Sequence, residues 1–468
     1  MWNFDKFSGN TAVITESGDK VSYSALGRYC ADLTQNIPHR CLAFNLCKNE
    51  LGSLVGYVGF LNAGVVPLML KSDLDVGLLR ELIEKYKPDY IHVLSDMVEL
   101  YSDCKCVYQN LGYALLKTKY ECVYPLHDDL ALLLTTSGST GSPKLVRQSY
   151  KNIKANTSSI VQYLGLTERE RTITTLPMNY TYGISIINTH LAAGASIVLT
   201  DKALMQKEFW QQLKDFEATN FGGVPYTFEM LNRLRFERMN LPALKCVTQA
   251  GGKLSPTLHE KFAKWAADAG KTFIVMYGQT EATARMSYLP AERSLEKCGS
   301  IGIAIPGGRF ALLGENGSEI TEAEMAGELV YYGDNVTMGY AECGEDLVKG
   351  DERGGRLETG DIAKFDKDGY YFIVGRKKRF LKIFGNRVNL DETERLLKTE
   401  FPNCDFACAG VDDKMSIFLT NESLKDAILA FLVNTLKLHA SAFKVCPIDA
   451  VPRNESGKVL YGDLPSGV

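Results

Sequence analysis

Apolar positions along the first 130 residues alternate between helical and strand periods. Leu26, Tyr29, Cys30 and Leu33 share one helix face, and the run over 41–46, apolar except for Asn45, reads as a strand. The stretch 51–70 is 20 residues without a charge, long enough to span a bilayer. Gly52, Gly56, Gly59, Gly64, Asn62 and Pro67 break it instead into a helix over 51–62, a turn at Ala63-Gly64 and a strand over 65–70. A helix over 75–86 and a strand over 90–94 follow. Such alternation implies a largely parallel sheet covered by helices.

The same grammar resumes after residue 130, with strands predicted over 131–134, 195–199, 244–248 and 272–276. Ahead of the last, Ser255 as N-cap, Pro256 at the first position and Gly270 past the end frame a helix. Between 299 and 374 the chain changes to glycine-punctuated apolar runs, such as Phe310-Ala311-Leu312-Leu313 and Gly327-Glu328-Leu329-Val330-Tyr331-Tyr332. These predict antiparallel strands in a small barrel or layered β subdomain. After the basic connector Gly375-Arg376-Lys377-Lys378-Arg379, Asn389 to Glu392 reads as a capping box. It opens an α+β region with strands over 405–411 and 416–420 and a helix over 424–436.

Composition narrows the class of function. Lys and Arg total 52 against 56 Asp and Glu, a net charge of −4, which argues against nucleic acid or an anionic membrane as partner. With 45% hydrophobic and 23% charged residues the chain is not disordered. The 12 cysteines are scattered, without C-x-x-C or H-E-x-x-H, and read as reduced core thiols. The start, Met1-Trp2-Asn3-Phe4-Asp5-Lys6, lacks the basic and apolar regions of a secretory signal. The expectation is a cytoplasmic protein without a membrane span.

The most specific chemistry follows the strand at 131–134, in Thr135-Thr136-Ser137-Gly138-Ser139-Thr140-Gly141-Ser142-Pro143-Lys144. Hydroxyls and glycines in succession let backbone N–H and side-chain O–H groups converge on phosphate oxygens, although the spacing is not that of a Walker A loop. This loop resembles the signature of the adenylate-forming enzymes: acyl-CoA synthetases, peptide-synthetase adenylation domains and firefly luciferases. The resemblance implies that Thr136, Ser137, Gly138, Ser139, Thr140, Gly141 and Lys144 hold the phosphates of ATP.

Four further segments match the family in order. In Tyr277-Gly278-Gln279-Thr280-Glu281 the ring can cover adenine, Thr280 can bond the α-phosphate, and Glu281 offers the hard oxygen that Mg²⁺ prefers. Asp361 in Glu358-Thr359-Gly360-Asp361 resembles the family's ribose carboxylate, and Arg376 its arginine at the domain junction. Lys378 falls on the hinge position. Lys458, in Pro452-Arg453-Asn454-Glu455-Ser456-Gly457-Lys458, resembles the catalytic lysine, a mobile cation that neutralises charge in the transition state.

The resemblance covers the chain from Leu132 to about Leu460 and implies an α/β fold in two domains. Residues 1–376 would form a large N-terminal domain of two α/β sheet subdomains plus a small β-barrel. Residues 377–468 would form a small mobile α+β lid. The acid pocket is expected at Tyr180, Thr181, Tyr182 and Gly183, at Val224 and Pro225, and at Gln249 and Ala250, with Gly251 and Gly252 on the ATP side. Relatives that activate amino acids carry an Asp in the first of these segments, whereas Thr181 stands there and 176–187 holds no carboxylate. An unpaired buried ammonium is costly, so the implied substrate is an aryl, fatty or small hydroxy acid.

The implied reaction is attack of a carboxylate on MgATP, loss of pyrophosphate, and transfer of the acyl group from the adenylate to a thiol. Little chain follows Lys458, so the acceptor is expected in trans, coenzyme A first and the phosphopantetheine of a carrier protein second. The basic run 376–379 with Lys382 fits either a CoA phosphate or a solvated hinge face. A non-catalytic nucleotide-binding protein and a luciferase-like oxygenase remain as readings from other classes.

Overall fold

The computed structural model describes residues 1–2, 4–135, 144–453, 457 and 459–465, without the side chains of Lys378 and Arg387. The described chain divides into two compact units. The first takes the described residues up to 135 together with 144–309 and 331–357, and the second takes 310–330 and those from 358 onward.

The first unit is built on two large sheets. One has nine strands, with a parallel centre in the order Thr272–Tyr277, Cys246–Gln249, Asn220–Gly223, Arg171–Ile173, Ser196–Val198 and Thr11–Ile14. The other has eight strands around Leu42–Cys47 and Val66–Lys71, which pair in parallel. The uncharged stretch resolves into the helix Leu51–Asn62 and the strand Val66–Lys71. Almost every residue of that helix is buried, the condition of a helix apolar on all sides. It packs on the strands Leu42–Cys47 and Val66–Lys71, while a second buried helix, Thr181–Ala193, packs on the nine-stranded sheet. Tyr57 donates to Asn188 Oδ1 at 2.8 Å and ties the two helices together. Among the described residues no helix is long and apolar enough to cross a membrane.

The glycine-punctuated region supplies three sheets rather than one small barrel. Ile303–Ala304 adds to the nine-stranded sheet and Gly339–Ala341 to the eight-stranded one, where it pairs with Leu145–Ser149. The remainder forms a five-stranded sheet in the order Glu319–Ile320, Gly308–Leu313, Gly327–Gly333, Arg356–Phe365, Tyr371–Arg376. Local alternation specifies a strand but not which sheet receives it, because pairing partners lie far away in sequence.

In the second unit the hairpin Phe380–Ile383 and Asn386–Asn389 leads into the helix Leu390–Glu400. Asn389 caps that helix by accepting from the Asp391 and Glu392 N–H groups, whereas the Glu392 carboxylate is engaged by Arg395. The strands Phe406–Val411 and Lys414–Leu419 are antiparallel, and a third, Phe443–Pro447, joins them in parallel. All 12 cysteines are free: five are buried, but Cys106 and Cys122 are exposed, so not all are core thiols.

Candidate active site

In the first unit the strand Thr272–Tyr277 delivers Tyr277 at its carboxyl end, and the chain turns at once into the short 3₁₀ segment Thr280–Ala282. A Cβ at Gly278 would collide with the Ala284 carbonyl, so the turn closes only with glycine there. Thr283 adopts φ +66°, an uncommon conformation for a threonine that surrounding contacts must impose.

Those contacts come from five distant side chains. Thr181 Oγ1 donates to Thr283 O at 2.7 Å, and Thr283 Oγ1 donates to Asn335 O at 2.7 Å. Asn335 Nδ2 reaches Ala282 O at 2.9 Å, and Asn156 Nδ2 reaches Arg285 O at 2.8 Å. Thr337 Oγ1 and Arg353 Nη1 both donate to Glu281 O at 3.0 Å. With its backbone held from so many sides, the Thr280–Glu281 pair has a defined aim.

The Glu281 side chain is oriented as well. Tyr340 donates to Glu281 Oε1 at 2.7 Å, and no residue described here donates to the other carboxylate oxygen. Burial, reinforced by the Glu281 charge, pushes the Tyr340 phenol up to about 12, so it stays protonated and donates. A half-buried carboxylate with one anchored and one open oxygen fits a hard divalent cation such as Mg²⁺. Arg353 lies 4.7 Å and Lys144 5.9 Å from the Tyr340 ring centroid, and Lys144 also pairs with Glu342.

Tyr340 is fixed by a residue without any motif. Arg147 is fully buried and donates to the carbonyls of Tyr340, Met338, Lys349 and Gly350 and to the Glu352 carboxylate. It binds the segment 338–352 to the strand Leu145–Ser149. Arg147 stands between Lys144 and Lys151 and is followed by Gln148 and Ser149, so its sequence context resembles that of a solvated cation and carries no signal of its burial.

The expected pocket residues converge. Tyr180, Tyr182, Val224 and Ala250 share an apolar cluster with Ile186, Ile274 and Met276. The Tyr182 hydroxyl pairs with Thr248 Oγ1 at 2.7 Å. Gly183 packs on the Pro177 carbonyl, and Pro225 opens the helix Pro225–Arg233. Gly251, at φ +83°, lets Tyr180 and Val224 approach where a side chain would collide. Gln249 is fully buried and bonds the carbonyls of Ala250 and Gly252, so it shapes this loop from beneath.

In the second unit Asp361 and Arg376 stand opposite one another on paired strands, with Arg376 Nε 3.6 Å from Asp361 Oδ1. Asp361 is buried, and its N–H donates to Thr359 Oγ1 at 3.1 Å. The basic run is less available than its charges suggest. Lys377 pairs with Glu328 at 2.7 Å, and Arg379 meets Asp391 at 2.8 Å, Glu394 at 2.7 Å and the Tyr461 ring at 3.7 Å. Arg379 is thus largely buried and held in ion pairs within its own unit rather than forming a solvated face. Thr136, Ser137, Gly138, Ser139, Thr140, Gly141, Lys458 and the Lys378 side chain lie outside the described residues. Arg453 and Val459 form an isolated antiparallel bridge.

An α/β chain with paired large sheets and a clamped Thr-Glu loop at a strand end defines the class. The chain belongs to the AMP-binding enzyme family, whose profile matches residues 5–341. It is 29% identical over 350 residues to an oxalate–CoA ligase of Arabidopsis thaliana, a match spanning 71% of this chain and 66% of that one. It is also 29% identical over 347 residues to a 2-succinylbenzoate–CoA ligase of Bacillus licheniformis, spanning 72% and 70%. The matches thus reach about two thirds of these relatives' length.

Among solved structures, the o-succinylbenzoate CoA synthetase of Bacillus subtilis with its acyl-adenylate intermediate aligns at a TM-score of 0.80 and 20% identity, covering 100% of this chain and 99% of that chain. The same enzyme with ATP and a magnesium ion aligns at 0.78 and 20%, covering 98% of each. At that identity the likeness is one of fold.

Proposed function

We propose that the chain is an AMP-forming acid–thiol ligase. It activates a carboxylic acid with MgATP, releases pyrophosphate and forms an acyl-adenylate, then passes the acyl group to a thiol. The observation that carries this reading is the Glu281 carboxylate, anchored at one oxygen and, among the described residues, without a donor at the other, on a loop clamped by five side chains in a member of the AMP-binding enzyme family. Such preorganisation is what charge development on a transferring phosphoryl group requires.

In this reading Mg²⁺ at Glu281 supplies neutralisation of the ATP phosphates. Thr280 bonds the α-phosphate, Tyr277, Gly278 and Gln279 line the adenine side with Gly251 and Gly252, and Thr136 to Gly141 with Lys144 hold the outer phosphates. Asp361 and Arg376 serve the ribose. Residues 377–468 close as a lid about Lys378 and bring in Lys458, which neutralises charge on the reacting carboxylate and phosphate.

Both named relatives are CoA ligases, which favours coenzyme A over a carrier protein as acceptor. The acid is not an amino acid: the Thr181 hydroxyl, at the position of the ammonium partner, is committed to Thr283 O. Twelve free thiols suit a reducing compartment such as the cytoplasm.

Acid-dependent pyrophosphate release from MgATP, with and without CoA, tests the reading. Lys458→Ala is expected to slow that release on the order of 10²-fold or more, and an unchanged rate would remove the lysine from the mechanism. Release without a thioester would point to a carrier protein. No release with any acid would favour the non-catalytic nucleotide-binding protein.

A further inference from the structure

Behind the pocket cluster, between the helix Thr181–Ala193 and the parallel strands, lies a cavity of about 160 Å³. Gly222, Thr248 and Ile274 form its sheet wall and Ile186 its helix wall. Gly222 lies two residues before the expected pocket position Val224, which follows its strand, and Thr248 directly precedes Gln249 on its own strand. The cavity therefore adjoins the expected acid pocket, with which it shares Ile186 and Ile274 of the apolar cluster.

Arg285 lines this cavity and is only 2% exposed. Its guanidinium lies 4.9 Å from the Tyr182 ring centroid and donates from Nη1 to the Tyr163 hydroxyl at 3.2 Å, while Nε has no hydrogen-bond partner. Among the described residues no carboxylate forms an ion pair with it.

The other titratable groups of the wall do not balance this charge. Glu170 is engaged by Lys245 at 3.2 Å and by Thr219 Oγ1 at 2.7 Å. His190 is bonded through Nδ1 to Ile186 O and through Nε2 to Asn220, and burial pulls it down to about 4, so it is neutral. Burial likewise pushes the Cys246 thiol up to about 12. The wall carries one uncompensated, dehydrated cation, an arrangement that is unfavourable until an anion meets it.

We propose that Arg285 recognises a second carboxylate at the far end of the acid, so that the substrates of this enzyme are compact dicarboxylic acids. The inference rests on the acid-activating function above and names its substrate class. A guanidinium suits this task because its planar donors match a carboxylate and its charge persists when buried. Size sets the companion limit: a cavity of about 150 Å³ is known to accept benzene, so a group of that bulk fits and a long acyl chain does not. The same cation disfavours a substrate bearing an ammonium at this end.

The test measures acid-dependent pyrophosphate release by the full chain with matched pairs: malonate against propionate, succinate against butyrate, glutarate against valerate. Wild-type protein is expected to prefer the dicarboxylate of at least one pair on the order of 10²-fold in kcat/KM. Arg285→Leu is expected to abolish or reverse that preference, and Arg285→Lys, which keeps the charge without the planar fork, to retain part of it. Equal use of both members by the wild type, or preference for the monocarboxylates, overturns the dicarboxylate inference and leaves acid activation standing; this arm needs no variant to fold. A preference that survives Arg285→Leu also overturns it. Silence with all six acids overturns the inference of compact dicarboxylic substrates, while the ligase reading is judged by the aryl, fatty and hydroxy acids its implied substrate class names.

Discussion

Two regions of the first unit each bury an arginine, and they differ in what surrounds it. Around Arg147 four carbonyls and the Glu352 carboxylate absorb the guanidinium donors. Around Arg285 an aromatic face and one phenol leave Nε unpartnered beside a cavity. A buried cation whose donors are all matched by its own chain is scaffolding, whereas one that lines a cavity with a donor left unmatched can still take up a ligand. Arg147 holds the segment carrying Tyr340, which orients Glu281. Arg285 closes the opposite, acid side of the same loop. One arginine positions the chemistry and the other reads what enters.

The contrast is open to direct attack, first through stability. Removing one partner of a buried charge network costs about 3 kcal/mol or more, so Arg147→Met is expected to lower the denaturant midpoint strongly. Arg285→Leu, which replaces an uncompensated charge by an apolar side chain, is expected to be neutral or to stabilise by about 1 kcal/mol. Equal losses in the two variants would erase the distinction between the regions.

A smaller effect sharpens the scaffold side. Tyr340→Phe removes the hydrogen bond to the Glu281 carboxylate, of a kind contributing about 1.5 kcal/mol. Pyrophosphate release is expected to fall about tenfold, with a raised Mg²⁺ requirement and little change in melting temperature. An unaltered Mg²⁺ titration would detach Tyr340 from the metal site.

The smallest effect concerns the cavity side and pH. His190 is held neutral by burial, its pKa lowered from 6.5 to about 4. Between those values the unfolded chain binds the more protons, so stability falls as pH falls from 6.5 toward 4, by at most about 1.4 kcal/mol per pH unit for this group. His92 and His259, also lowered by burial, add in the same direction. His190→Gln is expected to flatten the slope of denaturation midpoint against pH; an unchanged slope would mean that His190 is not the neutral wall group assumed above.

The proposed site residues could be named from the sequence because the chemistry demands particular residues at fixed short spacings. The Tyr277 to Glu281 segment runs on from a strand end, and Asp361 lies within the strand Arg356–Phe365 opposite Arg376. The clamp around them was not legible. Asn156, Asn335, Thr337, Arg353 and Tyr340 lie far from residues 280–285 in sequence, and an isolated Asn or Thr is indistinguishable from a surface polar residue until folding brings it to a carbonyl. Arg285 posed the same difficulty, because charge alone does not tell a solvated arginine from a buried one.

Periodicity and breakers by themselves determined the elements. The uncharged stretch became the helix Leu51–Asn62 and the strand Val66–Lys71 because glycines and a proline interrupt it, and Ser255 and Pro256 set the start of the helix Pro256–Asp268. These are local preferences, settled by backbone sterics and caps within a turn or two of chain. Only the tertiary structure decided that Ile303–Ala304 and Gly339–Ala341 leave the β region for two different large sheets, and that Arg379 is held in ion pairs while Arg285 faces a cavity. Strand pairing and the burial of a charge depend on partners brought in from distant sequence, and their free energy exists only once those partners have met.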